Sequence, residues 1–333
     1  MSLCEMKELY AELDRYVKDN LNLLLAVEKC WQPSDLLPNF AAEDWLDQLK
    51  AYRETARNLP DDILITLVAN VITEEALPSY HSWLSRLGPG FDKSGADQGG
   101  IAQWMRGWVA EEKRHGDVLA RYLYFSGLVD YRSIELSIQH LIRNGFDPLT
   151  ENCIFQGFIY TSFQERATFI SHAGVAREAR KHGEHNLARI CDQVAGDEAR
   201  HEKAYERFVG RLFELDSDRC MLAMASMLRK TVIMPSRMMT DGVDDNIFSL
   251  FSAITQRNGI YTVVDYAKIM DHLVRLWKIE TQTFQTAEAR QAQEFVARLP
   301  ARYFRMAERA IERPVKIPKR PISWIHDRVV NMP

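Results

Sequence analysis

The sequence predicts an all-α protein whose centre is a bundle of four long helices. Three observations carry that prediction. Glycine and proline are sparse, 16 and 12 in 333 residues, and they collect between long stretches of helical apolar spacing. Alternating runs of Val, Ile, Thr and aromatic residues, the mark of strands, are almost absent. Four of the helical stretches are long, and each carries a continuous stripe of inward-facing positions.

About eleven helices are expected in chain order. The first covers about 5–29, where MSLCEMKELYAELDRYVKDN spaces acids and bases at helical intervals, and it stops at WQPSDLLP. Helices over about 43–57 and 61–86 lead to the glycine-rich loop GPGFDKSGADQGG. The next two run over about 99–126 and 131–143, the latter ending at NGFDP. The long pair 149–181 and 184–213 completes the bundle with 61–86 and 99–126. Helices over about 217–235, 243–257, 262–279 and 285–311 follow, and IERPVKIPKRP ends the last. The tail, 313–333, is proline-rich and is expected to be irregular or a short hairpin. Nothing before about residue 312 looks like a linker, so 1–333 reads as one domain.

Bulk composition removes several classes of function. Hydrophobic residues make up 46% and charged residues 26%, as in soluble globular proteins. The formal net charge of −4 gives no reason to expect nucleic acid as a partner. Five cysteines (Cys4, Cys30, Cys153, Cys191, Cys220) without a C-x-x-C pair fit free thiols in a reducing compartment. The most apolar run, ILITLVANVI at 63–72, is too short to span a bilayer, so no membrane insertion is expected. The N-terminus resembles neither a secretory signal nor an Arg/Ser-rich transit peptide. The chain therefore reads as soluble and intracellular, or as a mature form after processing.

The stripes carry the chemistry. Ile101, Met105, Trp108, Glu112, His115, Leu119 and Tyr122 recur at alternating steps of four and three, the seam that faces a bundle centre. Leu187, Cys191, Val194, Glu198, His201, Tyr205, Phe208 and Leu212 repeat that spacing. Ile154, Phe158, Thr161, Glu165, Thr168, His172 and Val175 form a third seam, and Ile63, Leu67, Asn70, Glu74, Leu77, His81 and Leu84 a fourth. Each seam thus holds a glutamate at matching depth, and none holds a Lys or Arg to neutralise it. A buried ionised carboxylate without a partner costs several kcal/mol, and four would also repel one another. Two divalent cations would balance four carboxylates and leave neutral imidazoles as further ligands.

The repeated pentapeptide explains itself on that basis. EEKRH at 111–115 and DEARH at 197–201 each supply Glu-x-x-His, a Glu and a His one helical turn apart. Two such pairs alone are weak, but both lie in apolar seams and share the pattern [ED]-E-x-R-H. A Glu from each of two helices with Glu-x-x-His from two others is the dinuclear carboxylate arrangement of ferritin-like bundles. Oxygen donors with imidazole and no thiolate suit iron or manganese. Thr168 lies one turn beyond Glu165, placed either to relay a proton beside the metals or to cap its own helix. Gly157, inside a helix, points to a close helix contact or to room for a ligand. His182 and His185 read as surface residues, and His81 and His172 as core histidines outside the ligand set.

Longer motifs then stand out: TEEALPSY (73–80), WVAEEKRHGD (108–117), ENCIFQGFIYTSFQERATFISH (151–172), DEARHE (197–202) and MPSRMMTDGVDDNIFSLFSAITQRNGIYTVVDYA (234–267). With VEKCWQPSDLLP (27–38), RLP (298–300) and SWIHDR (323–328), they resemble the soluble acyl-acyl-carrier-protein desaturases of plant plastids over nearly the whole chain. The resemblance implies a homodimeric, eleven-helix, ferritin-like enzyme. Such an enzyme inserts a cis double bond into a fatty acyl chain on acyl carrier protein, with electrons from ferredoxin and O2 reduced to water. It implies two iron ions held by Glu74, Glu112, His115, Glu165, Glu198 and His201, with Thr168 on the oxygen side. Trp31 and Asp197 match a pair that hydrogen-bonds toward His115 and offers electrons a route from the surface. Carrier proteins are acidic, so a basic patch at the tunnel mouth is expected, with Arg200, Arg229 and Lys230 as its candidates. Location would be the plastid stroma in a plant or alga, and otherwise the bacterial cytoplasm.

One departure bears on the substrate. SYHSWLSRLG puts Trp83 and Arg86 where plant relatives carry smaller, less polar side chains at the far end of the tunnel. With Gly157, these become the expected tunnel residues, and the usual eighteen-carbon chain and Δ9 position are not assured. Other readings fit less well. The radical subunit of ribonucleotide reductase places a tyrosine where Leu119 stands, and a rubrerythrin-like peroxidase carries a C-x-x-C module absent here. Iron storage needs only a short bundle. Membrane desaturases need clustered histidines and spanning helices. A catalytically silent partner of acyl carrier protein would have no use for the intact ligand set.

Overall fold

The computed structural model describes residues 3–88, 92–151, 153–230, 232–244, 246–312 and 319–330. Among these, the fold is twelve α-helices with short 3-10 turns and one small hairpin. The helices are α1 (Leu3–Asp19), α2 (Trp45–Ala56), α3 (Asp61–Glu75), α4 (Leu77–Leu84), α5 (Gly100–Ser126) and α6 (Tyr131–Asn144). They continue as α7 (Ile154–Lys181), α8 (His185–Leu215), α9 (Ser217–Arg229), α10 (Ile247–Asn258), α11 (Val263–Leu276) and α12 (Ala287–Ile311). Strands β1 (Pro321–Ile322) and β2 (Arg328–Val329) pair antiparallel, Pro321 opposite Val329. This hairpin is pinned to the body by Trp324, whose Nε1 donates to Ser137 Oγ at 2.8 Å.

The bundle is α3, α5, α7 and α8. Helices α7 and α8 form an antiparallel hairpin whose turn is fixed by Gly183 at φ +74° and by the buried Glu184 carboxylate, which accepts from Leu187 N at 3.0 Å. Asp14 of α1 caps α5, accepting from Gly100 N at 3.0 Å and Ile101 N at 2.9 Å. Gly127, left-handed at φ +67°, ends α5 at its other end.

Two apolar clusters fill the bundle, one on each side of a polar layer. Trp104, Phe155, Phe158, Tyr205 and Phe208 belong to one. Leu67, Val68, Leu119, Tyr122, Leu187 and Val194 belong to the other. Along α5 the change of cluster falls between Trp108 and Val118, and along α8 between Val194 and Ala204. Glu112, His115, Glu198 and His201 lie in those gaps.

Several expected boundaries move, each for a local reason. The helix expected over 61–86 is two, because Pro78 has no N–H to continue the ladder. The register turns after the break, and His81, expected in the core, is exposed. The first helix ends at Asp19, not near 29; the N–H of Leu25 goes instead to Glu111 Oε1 at 2.7 Å. α7 starts at Ile154, after Leu149 and Glu151 adopt left-handed backbone at φ +61° and +55°. α9 ends at Arg229, short of 235, ahead of Met234–Pro235, where the residue before proline is held extended. Asp241 accepts from Val243 N and Asp244 N at 2.9 and 2.7 Å, a turn that delays α10 to Ile247.

Candidate metal centre

The four stripes meet in the polar layer. Glu74 stands in the last turn of α3, Glu112 and His115 on α5, Glu165 on α7, and Glu198 and His201 on α8, all buried. They form two overlapping groups. Glu74, Glu112, His115 and Glu198 each offer a ligand atom within 4.8 Å of the others, and so do Glu112, Glu165, Glu198 and His201. Glu112 and Glu198 belong to both groups, so the set offers two overlapping positions that share two carboxylates.

Orphaned atoms test whether these residues suit metal ions. Glu112 Oε1, Glu198 Oε1 and His201 Nδ1 are buried without a hydrogen-bond partner. Yet His201 Nδ1 lies 2.7 Å from Glu112 Oε1, and His115 Nδ1 lies 3.2 Å from Glu198 Oε1. Close approach without hydrogen-bond geometry is what side chains show when they converge on a shared cation. The donor set fits two divalent ions.

Protein charges alone leave the cluster frustrated. Burial pushes the Glu165 carboxyl well above the usual carboxylate range, and repulsion from Glu112 and Glu198 adds to it. Burial also raises Glu74, against its hydrogen bond with His172. Burial would raise Glu112 too, but His115 and His201 outweigh it and pull that carboxyl below its usual range. Burial would lower both imidazoles, yet the surrounding carboxylates win. Glu112 and Asp197 lift His115 well above the histidine range, and Glu111 with Glu112 lifts His201 to about 9. Cations in the centre would reverse this order by holding every carboxylate ionised.

Each imidazole turns its other nitrogen outward to an acid of the opposite pentapeptide. His115 Nε2 is 3.3 Å from Asp197 Oδ2, and His201 Nε2 is 2.9 Å from Glu111 Oε2. Such acceptors fix the tautomer that leaves Nδ1 free for a metal. Arg114 donates to Asp197 Oδ2 at 2.8 Å, and Arg200 donates to Glu111 Oε2 at 2.7 Å. Trp31 Nε1 donates to Asp197 Oδ2 at 3.0 Å, with the Arg114 guanidinium 5.1 Å above its ring. Closer in, Trp108 Nε1 donates to Glu165 Oε1 at 3.1 Å, and His172 Nε2 meets Glu74 Oε1 at 2.9 Å. Thr168 Oγ1 donates to Glu198 Oε2 at 2.7 Å.

A cavity of about 180 Å³ opens from this layer, with Glu74, Glu112, Glu165, Glu198 and Thr168 in its wall. The rest of its lining is largely apolar. Trp83, Phe146 and Tyr160 line it as one packed aromatic group, and Phe248, Phe251 and Tyr261 line it as well. Trp83 packs edge-on against Tyr160 and Phe146 at 5.3 and 5.5 Å and donates from Nε1 to Thr150 Oγ1 at 3.0 Å.

This arrangement agrees with what the chain is similar to. The fatty acid desaturase family model matches residues 5–326. The chain belongs to that family. Its relatives include the chloroplastic stearoyl-[acyl-carrier-protein] 9-desaturase of Spinacia oleracea, 50% identical over 98% of this chain and 82% of that protein. The Ricinus communis protein of the same name is 50% identical over the same shares. The chloroplastic acyl-[acyl-carrier-protein] desaturase of Cucumis sativus is 48% identical, again over 98% and 82%. Among solved structures, the X-ray structure of putative acyl-ACP desaturase DesA2 from Mycobacterium tuberculosis H37Rv superposes with a TM-score of 0.57. It is 19% identical and covers 86% of this chain and 99% of its own, a likeness of fold.

Within this desaturase frame, some expected site residues lie elsewhere. Arg86 is exposed, its Nη2 3.3 Å from Ser82 Oγ, outside the cavity wall. Gly157 does not line the cavity either; a Cβ there would run into Leu87 Cδ1, so close packing accounts for the glycine. Arg200 is engaged by Glu111 and Asp197 instead of standing free on the surface. Lys230 is 2.6 Å from Glu151, and Arg229 lies 4.9 Å over the Phe295 ring, both at the exposed end of α9. His182 and His185 are exposed, and His172 is buried and bonded, as expected.

The desaturase centre also contains residues the sequence reading passed over. Glu111 is the leading acid of the first pentapeptide, and its counterpart Asp197 leads the second. The repeat itself held that signal. Trp108 stood on the α5 seam as an ordinary apolar position, and nothing in its spacing announced the bond to Glu165.

Proposed function

We propose that this chain is an O2-dependent di-iron desaturase that introduces a cis double bond into a saturated fatty acyl chain carried on acyl carrier protein. The observation that carries the proposal is the juxtaposition of six convergent carboxylate and imidazole donors with an apolar cavity into which the carboxylates open. Names of relatives at about 50% identity support the same chemistry and carrier. Glu74, Glu112, His115, Glu165, Glu198 and His201 would hold two ferrous ions. Ions in that setting supply electrons and a place for dioxygen to be reduced beside unactivated C–H bonds.

The reaction balances as follows. Two hydrogens leave adjacent methylenes, and two electrons and two protons arrive from outside, reducing O2 to two waters. Ferredoxin is the proposed electron donor, and the Trp31–Asp197–His115 line is the proposed route. Thr168 holds a proton 2.7 Å from Glu198 Oε2, inside the cavity wall, where a proton is needed. The apolar lining excludes water and sets which carbons lie beside the metals. Trp83, Phe146 and Tyr160 close the end of the chain's path, and Arg229 and Lys230 remain the proposed basic contacts for the carrier. We extend the reading to a homodimer located in the plastid stroma of a plant or alga, or else in a bacterial cytoplasm.

The test is a reconstitution. The iron-loaded chain is given reduced ferredoxin, O2 and a series of saturated acyl carrier proteins, and the products are sized by mass spectrometry. A monounsaturated product formed with matched O2 uptake is expected. Absence of any unsaturated product across the series, with two irons bound, would overturn the assignment.

A further inference from the structure

Arg200 is the expected surface residue that proves to face inward. We propose that it is a positioning residue, clamping the outer acceptors of both metal-facing histidines into one unit so that the two metal positions are set together. The proposal rests on the di-iron reading above.

One guanidinium reaches both acids. Arg200 Nη2 donates to Glu111 Oε2 at 2.7 Å and to Asp197 Oδ1 at 2.9 Å, and Nη1 donates to the same Oδ1 at 3.0 Å. Glu111 Oε2 is also the acceptor facing His201, and Asp197 Oδ2 the one facing His115. The chain of contacts is therefore His201–Glu111–Arg200–Asp197–His115, with Arg200 at its middle. Arg114 does not bridge in this way: it meets Asp197 at 2.8 Å but stands 4.0 Å from Glu111.

Charge supports the same role. The outer ring holds two carboxylates, Glu111 and Asp197, and two guanidiniums, Arg114 and Arg200, so it is neutral by itself. The inner four glutamates are then left for the two metal ions to balance. The side chains of Glu111 and Asp197 are 3% and 5% exposed, and that of Arg200 is 24% exposed, so these bonds are shielded from competing water. Without Arg200, one buried acid would lose its compensation and the two acids would be free to separate. Lysine cannot replace the fork, since an ammonium is a point charge and reaches one carboxylate at a time.

Anaerobic ferrous titration, followed by near-infrared circular dichroism, tests the clamp on the whole chain. Wild type is expected to bind two ions. Glu111→Gln should weaken one binding phase, that of the ion beside His201. Arg200→Met should weaken both phases, each by about 10–100-fold, the usual effect of losing an outer partner of a metal ligand. A thermal melt of each metal-free variant checks that it is folded. If Arg200→Met titrates like wild type, or moves one phase as Glu111→Gln does, the clamp is wrong. Should Arg200→Met not fold, Arg200→Lys decides: at least one phase must weaken, and two wild-type phases would overturn the proposal. A wild-type chain that binds no iron would instead sink the di-iron reading itself.

Discussion

The indole of Trp31 lies parallel to the imidazole of His115, with ring centroids 6.2 Å apart and planes inclined by 6°. Trp31 is partly exposed and His115 fully buried, so this stack joins the surface to the layer of carboxylates and imidazoles. Asp197 takes hydrogen bonds from the same two side chains, which makes a second, bonded connection. Trp31→Ala is therefore expected to keep two irons and to be reduced normally by dithionite, yet to turn over slowly with ferredoxin. Equal loss with both reductants would mark Trp31 as a packing residue only.

Glu198 is shared by both metal groups, so its removal should be felt twice. Glu198→Ala is expected to abolish iron binding and turnover together. Elemental analysis after anaerobic ferrous loading reads the first, and product formation the second. Full turnover in this variant would refute the ligand set.

Thr168 has one hydroxyl proton and three acceptors in range: Glu198 Oε2 at 2.7 Å, Glu165 O at 2.9 Å and Gln164 O at 3.1 Å. The carboxylate is the strongest of these, and a hydrogen bond to a charged group contributes about 1.5–3 kcal/mol. Thr168→Val should keep its irons but form less unsaturated product per O2 consumed, and Thr168→Ser should restore the ratio. An unchanged ratio in Thr168→Val would confine Thr168 to capping its own helix.

Iron uptake should depend on pH in a direction fixed by the cluster. His201 is raised to about 9, so it holds a proton near neutrality when only protein charges act, and burial pushes Glu165 in the same direction, toward its protonated form. Metal binding requires them deprotonated and must release those protons. Apparent affinity should accordingly rise from pH 6.5 toward 9, with proton release measurable in a weakly buffered titration. Affinity that stays flat over this range would contradict that assignment of protons.

Much of this was legible in the sequence because a helix seam is a one-dimensional pattern. Glu112 and His115 fall on one face by spacing alone, and so do Glu198 and His201. What remained hidden depends on how helices meet. No spacing within α5 or α8 tells that Glu111 faces the histidine of the other pentapeptide, since that contact crosses between helices at the far side of the seam. Arg200 was misplaced for the same reason, as charge pattern alone cannot distinguish a solvated guanidinium from one seated on two buried acids. Local chemistry accounts for the remaining errors. Pro78 split a helix whose periodicity continued past it, and of the two readings of Gly157 the close contact, with Leu87, is the one the packing shows.

Trp83 offers the sharpest test of substrate choice. The residue is 7% exposed and lines both the metal-side cavity and a second depression of about 570 Å³, which Phe146 and Thr150 also line. It is thus part of the wall of both spaces, held in place by Thr150 and by two edge-on aromatic contacts. Replacing the indole should join the two spaces and let a longer acyl tail pass. Trp83→Leu is expected to shift preference toward longer acyl carrier protein substrates in a competition assay. Trp83→Ala should shift it further while lowering stability by about 3–5 kcal/mol, the usual effect of truncating a buried aromatic. The rings of Phe146 and Tyr160, 5.9 Å apart, would remain as a partial barrier, so the shift should be graded. A substrate preference identical to wild type in both variants would show that the acyl chain ends before Trp83.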